Sequence, residues 1–202
     1  MSIEKHDTCI VRRAHLADCA TAATLHVTEL PGEFLSLLGI QFLTVLYRGI
    51  NAHPNGFVLV AERNGTVIGF VSGATNSAEV TGGVIRRHWF ALAVWSAFHV
   101  LARPFLLTNI LAALRHTKDE YAHQAELLAI AVASPTHNNG IGKELLSAFQ
   151  REMRSRSVAF FHLIVDERNC NARAFYGRNG LKFIEKVSLF GNWKCRLGYT
   201  IP

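Results

Sequence analysis

Gly140 and Gly142 flank Ile141 and are followed by Lys143, immediately before an amphipathic run. Glycines at that spacing let a backbone approach a ligand with no Cβ in the way. A helix that starts straight from such a loop offers unpaired N–H groups and the positive end of its dipole. The chemistry this suits is anion binding, phosphate above all. Lys143 or a nearby Arg adds charge. The helix is read from Leu145, Leu146, Phe149 and Met153, which recur at helical spacing. Ahead of the loop, Glu126 to Val132 is an apolar run that reads as a strand covered on both faces. Pro135 and the Asn138-Asn139-Gly140 cluster stop it.

Two well-known phosphate loops do not fit. A P-loop needs Ser or Thr after Gly-Lys and a first Gly five positions before the second. Here Glu144 follows Lys143, and His137 stands where the first Gly belongs. A dinucleotide fingerprint needs a third Gly at 145, where this chain has Leu145.

The elements that must position this loop follow from periodicity. Cys9 to Arg13 reads as a first strand, and a helix starts from about Leu16 with Asp18 in its first turn. Pro31-Gly32 ends that helix. Phe34, Leu37, Leu38, Phe42, Val45 and Leu46 mark the next one. Phe57–Glu62 and Val67–Gly73 form a hairpin around Arg63-Asn64-Gly65, since Asn-Gly supplies positive φ. Val84 to Leu114 predicts two helices broken at Pro104. The uncharged run from His88 to Ala102 is shorter than the roughly 20 residues a membrane span needs. Large aromatics beside Arg86, Arg87 and Arg103 make a packed helix, a membrane-surface helix or a dimer contact through 84–114 the readings there. Ala159 to Val165 is a further strand, with His162 and Ile164 on one face and Phe161, Leu163 and Val165 on the other. Asn169 or Asn171 caps a short helix through Tyr176, and Gly180 ends it. Lys182–Leu189 and Trp193–Thr200 close the chain as strands around Gly191-Asn192.

The 202 residues predict one domain, 1–202, with a sizeable core. A net charge of +6 favours polyanionic ligands without choosing among nucleic acid, acidic membrane and phosphorylated cofactor. No reading helix or stacking motif supports nucleic acid, so none is expected as a partner. Cys9, Cys19, Cys170 and Cys195 form no C-x-x-C pair, so neither a disulfide framework nor a metal site is expected. A reducing, cytoplasmic setting fits that cysteine usage, with membrane association if 84–114 lies on a bilayer. The N-terminus has no apolar signal-like stretch. Cys170 sits at a helix start, where a thiol pKa can fall, but a surface thiol is the simpler reading.

Strand, His137-Asn138-Asn139-Gly140-Ile141-Gly142 loop, helix and strand are followed by Asn171-Ala172-Arg173-Ala174-Phe175-Tyr176-Gly177-Arg178-Asn179-Gly180-Leu181-Lys182-Phe183. This order resembles the GNAT superfamily of acyl-CoA-dependent N-acetyltransferases. The resemblance covers roughly Glu126 to Ile184 and continues in element order over Cys9 to Gly73. Residues 76–124 fall outside it and read as a helical insertion between the third and fourth strands. The resemblance implies an α/β (α+β) fold, a mixed, mostly antiparallel sheet flanked by helices. It implies acetyl-CoA as cofactor, with phosphates on the loop from His137 to Lys143. His137 departs from the Gln or Arg usual there, which shifts weight from that side chain to the loop amides. The pantetheine arm would pair along Ile130, Ala131 and Val132, and Asn171 would contact it. Tyr176 would protonate the departing thiolate. By analogy of position, Glu126 would serve as general base, with His99, His123, His162 and Glu29 as alternatives. The acceptor would be a primary amine of a small molecule, an amino sugar or a protein N-terminus, reached by direct transfer. It would bind around His26 to Leu38, with Glu29 and Glu33 either attracting the amine or merely solvated. A non-catalytic acyl-CoA-binding or membrane-surface module is the alternative.

Overall fold

The computed structural model describes residues 9–102, 121–136, 139–189 and 191–202. Their strands are β1 (Cys9–Arg13), β2 (Gly56–Arg63), β3 (Thr66–Ala74), β4 (Ala125–Val132), β5 (Phe160–Asp166), β6 (Lys182–Leu189) and β7 (Asn192–Thr200). They form one seven-stranded sheet in the order β1-β2-β3-β4-β5-β7-β6. Every neighbouring pair is antiparallel except β4 and β5. The β2–β3 turn forms as the Asn-Gly pair predicts: Asn64 and Gly65 have φ of 51° and 76°, the double positive of a primed hairpin turn.

The helices are α1 (Asp18–Glu29), α2 (Gly39–Ala52), α3 (Ser77–Ala102), α4 (Ile141–Ser155) and α5 (Cys170–Arg178). α1 and α2 cover one face of the sheet, where Cys19, Ala22, Leu25, Leu43 and Tyr47 pack on Val58, Val60 and Phe70. α4 covers the other. Its Leu145, Leu146, Phe149 and Met153 pack with Phe57, Val71, Leu127 and Phe161, and each such fully buried side chain contributes about 1.5–3 kcal/mol.

Two sequence expectations change in detail, and one open alternative is resolved. The residues from Phe34 are not one helix: Phe34–Leu38 is a 3-10 turn, and α2 begins at Gly39, whose φ of +85° interrupts the regular turn. Stretch 34–52 is apolar and long enough to cross a bilayer, but Leu43, Tyr47 and Ile50 are buried in the core. α3 starts at Ser77 rather than Val84, because Asn76 accepts from the backbone N–H of Glu79 at 3.1 Å and starts the helix there. It bends at His88, where φ and ψ are −119° and 16°. The second helix expected after Pro104 lies outside the described residues. Asn169, not Asn171, caps α5, accepting from Ala172 N–H at 3.0 Å.

β4 carries one irregularity. Ser72 faces Ala129 and Gly73 faces Leu127, so Leu128 has no register partner on β3. The extra residue is a bulge, and it reverses the faces. Ala125 and Leu127 belong to the α4 side of the core, while Ala129 and Ala131 belong to the α1–α2 side.

Candidate active site

β4 and β5 share only two register pairs, Ala125 with Phe161 and Glu126 with His162. Beyond them the strands part. Parallel neighbours that separate leave a gap in the sheet with backbone on both sides, and a cleft of about 1580 Å³ fills it. Ile130, Ala131 and Val132 line one bank, and Leu163, Ile164 and Val165 line the other. Leu128 lies beside this gap with no register partner on either neighbouring strand.

Gly140, Ile141, Gly142 and Lys143 close one end of the cleft. Gly140 has φ of +78° and precedes the first turn of α4, and no side chain caps that helix. A positive φ of this size selects glycine. The first-turn amides of a fifteen-residue helix are thus left to whatever the cleft holds. A Cβ on Gly140 would meet nothing within 4 Å, and one on Gly142 would touch only Phe175 at 3.6 Å and Val132 at 3.9 Å. The space beside both glycines is therefore open to a ligand, and the cradle fits a pyrophosphate. Asn171 lines the same cleft. Asn139 is exposed and takes no part in the lining. His137 and Asn138 lie outside the described residues.

Tyr176 reaches the cleft from α5, buried at 7% exposure against Phe175, the ring centroids 5.2 Å apart. Burial first, and the field of Glu33 second, push its hydroxyl above the ordinary tyrosine range. It therefore holds its proton throughout the neutral range.

Glu126 heads β4 and lines the cleft opposite the phosphate end. Ser77, in the first turn of α3, donates to its carboxylate. The rival bases are placed elsewhere or engaged. His162 lines the cleft but is buried, with Nε2 at 3.2 Å from the Tyr121 carbonyl and Nδ1 at 3.4 Å from Arg196. His99 and His123 lie outside the lining. Glu29 accepts from the backbone N–H (3.0 Å) and the hydroxyl (2.5 Å) of Ser134, just past β4.

Leu30 and Glu33 of the α1–α2 connection line the cleft, and Glu33 is not merely solvated. It meets Lys194 of β7 at 2.8 Å. Two positions along β7, on the same face, buried Arg196 donates to Glu185 at 2.8 Å and stacks over the Tyr121 ring at 4.3 Å.

Sequence reasoning put His26 at the edge of the acceptor region but missed its partner on the floor of the cleft. There His26 Nδ1 and the Tyr47 hydroxyl lie 2.5 Å apart, both side chains buried. Burial lowers the His26 pKa to about 4, so the ring is neutral. His26 Nε2 is buried with no hydrogen-bond partner, the buried Ser72 hydroxyl lies by Tyr47, and both His26 and Ser72 line the cleft. Lys194 and Arg196 were missed too, although their period-two spacing on a closing strand was the available signal. Among the described residues no group of His, Cys, Asp and Glu is placed to hold a metal ion.

A sequence profile described as the acetyltransferase (GNAT) family matches residues 26–181. No curated protein matches the chain. Among solved structures, ribosomal-protein-alanine N-acetyltransferase from Brucella melitensis superposes with a TM-score of 0.62 at 20% identity, over 95% of this chain and 99% of that one. The ribosomal-protein-S18-alanine N-acetyltransferase from Escherichia coli gives 0.61 at 14% identity, over 96% and 94%. The PaiA N-acetyltransferase from Thermoplasma acidophilum, in complex with coenzyme A, gives 0.60 at 14%, over 96% and 99%. At these identities the likeness is one of fold.

Proposed function

Since the chain belongs to the GNAT acetyltransferase family, whose members use acetyl-CoA, we propose that it transfers the acetyl group directly to a primary amine. One observation carries this reading: an uncapped helix N-terminus, Tyr176 and Glu126 all line the one cleft that opens between β4 and β5. Bound acetyl-CoA supplies an activated acetyl thioester. The amides of Ile141, Gly142 and Lys143 would hold its phosphates, and Ile130 to Val132 with Asn171 would hold its arm. The Leu128 amide, at the bulge beside the gap, would be the donor to the carbonyl oxygen, where charge develops.

The carboxylate of Glu126 would take the proton an ammonium must lose before it becomes a nucleophile, directly or through one water. Ser77 fixes that carboxylate. The Tyr176 hydroxyl would deliver a proton to the departing sulfur. Its raised pKa makes it a weak acid, so delivery follows charge development on sulfur in the same dry space. Buried Cys19 and exposed Cys170 have no part in direct transfer, which needs no acyl-enzyme. None of the four cysteines is in a disulfide, which supports a cytoplasmic setting.

The test is release of the CoA thiol across a panel of amines, with product masses. Transfer to some primary amine is expected. Silence across a broad panel from a protein that binds CoA would favour a non-catalytic binding module. A membrane-surface contact is supported by one further observation. Away from the cleft, α3 exposes Phe90, Trp95 and Leu101, with Arg86 and Arg87 on the same helix, an arrangement that suits an anionic bilayer. Flotation with anionic vesicles tests it, and protein left at the bottom of the gradient would sink it.

A further inference from the structure

The reading above leaves half of the cleft without an occupant. A volume of about 1580 Å³ exceeds the roughly 300–1,000 Å³ of a pocket for one small ligand. The cofactor groups belong to β4, β5 and the N-termini of α4 and α5. The remaining walls come from other elements: Leu35, Leu38, Phe42 and Leu46 from the α1–α2 connection and α2, with Ile85 and Leu92 from α3. All six side chains are aliphatic or aromatic. The charges near them are matched in pairs, Lys194 with Glu33 and Arg196 with Glu185.

From this geometry we infer that the acceptor is an amine carrying an extended apolar group, aliphatic or aromatic, seated between α2 and α3. The inference rests on the acetyltransferase reading and names its substrate class. The ammonium end would lie at Glu126, held by Ser77 from the base of α3. A sugar or peptide acceptor brings several hydroxyls or amides, and each loses stability when buried without a partner. The walls of α2 and α3 are mostly apolar and offer few, Thr81 and Ser96 of α3 with His26 and Ser72 beneath them. Trp89 lines the cleft and is 64% exposed, so the apolar surface continues outward and a long group need not be fully enclosed.

The experiment titrates primary n-alkylamines, from ethyl to octyl, into the CoA-saturated protein by calorimetry. In parallel it measures acetyl transfer from acetyl-CoA to the same amines. Affinity and kcat/KM should both rise about threefold to fourfold per added methylene over the first few carbons. Ile85 is partly exposed, so Ile85→Lys keeps the fold, and its charged end should flatten the series. A flat parent series, or faster transfer to glucosamine than to octylamine, overturns the inference and leaves the enzyme reading intact. So does a gain from longer acyl-CoA donors in place of longer amines, since the chamber would then belong to the donor. An Ile85→Lys series as steep as the parent's also overturns it. Binding that rises with chain length, without any product, keeps the chamber and removes the transferase reading.

Discussion

The hydroxyl of Ser77 donates to the carboxylate of Glu126 across 49 positions of the chain. The first turn of α3 thus fixes the side chain at the head of β4. Glu126→Gln should lower kcat by about 10²- to 10⁴-fold, the range of a lost general base, with CoA affinity retained. Ser77→Ala should lower kcat less, and Ser77→Thr should restore it. Rates at saturating acetyl-CoA check both, and full activity in Glu126→Gln would strip Glu126 of its role.

Tyr176→Phe keeps the buried ring and removes only the hydroxyl. Turnover should fall about 10²-fold while the CoA-induced rise in melting temperature stays as in the parent. An unchanged rate would place the proton donor elsewhere.

Gly142→Val tests the cradle. A Cβ there meets protein atoms only at ordinary contact distance, so the fold should hold, while the branched side chain occupies the space of the ligand. Stabilisation by CoA should vanish in thermal denaturation, and normal stabilisation would contradict the placement. Gly140→Ala should act differently. Its φ of +78° costs a non-glycine residue about 1–2 kcal/mol, so the unliganded protein itself should melt lower.

Lys194→Met removes one half of the tether that holds the α1–α2 connection to β7. Glu33 is 40% exposed, so stability should change by about 1 kcal/mol or less. The expected effect is a severalfold higher KM for the amine with KM for acetyl-CoA unchanged. Steady-state kinetics with each substrate varied in turn would show the opposite pattern if the rim serves the cofactor.

His26 makes folding pH-dependent. Its folded pKa, near 4, lies below the ordinary 6.5 because burial penalises the cation. Between those values the unfolded chain binds a proton that the folded chain does not, so stability rises with pH. The contribution is complete above pH 6.5 and is lost as pH falls toward 4, on the order of 3 kcal/mol in all. Urea denaturation at pH 7 and pH 4.5 reads it. His26→Gln should be less stable at pH 7 and should lose less between the two. A parent protein equally stable at both would refute this.

The order of elements was legible because each left a local mark. Asn64-Gly65 announced its hairpin, Leu145 to Met153 its helix, and Gly180 the end of α5. The phosphate cradle was legible for the same reason, since Gly140 to Lys143 is contiguous. What escaped was long-range or too short to show a period. The bulge at Leu128 depends on register with β3, which no stretch of β4 announces. The His26–Tyr47 contact joins two helices, and each residue alone reads as an ordinary core position. The start of α3 escaped for another reason. Asn76 and Glu79 formed an available capping pattern, but the aromatics further on drew the boundary toward Val84.

The two register pairs that join β4 to β5 have a mechanical meaning. The strands β1 to β4 and the strands β5 to β7 are each continuous ladders, while the seam between them is stitched at one end only. A ligand lying along the open part of that seam bridges two half-sheets as well as occupying a pocket. Occupancy should therefore stiffen the joint, and slow amide exchange at Ile130 and Ile164 together, on opposite banks, would report it. Substrate order would then be built into the architecture, with the amine meeting its finished chamber only after the seam has closed on the donor.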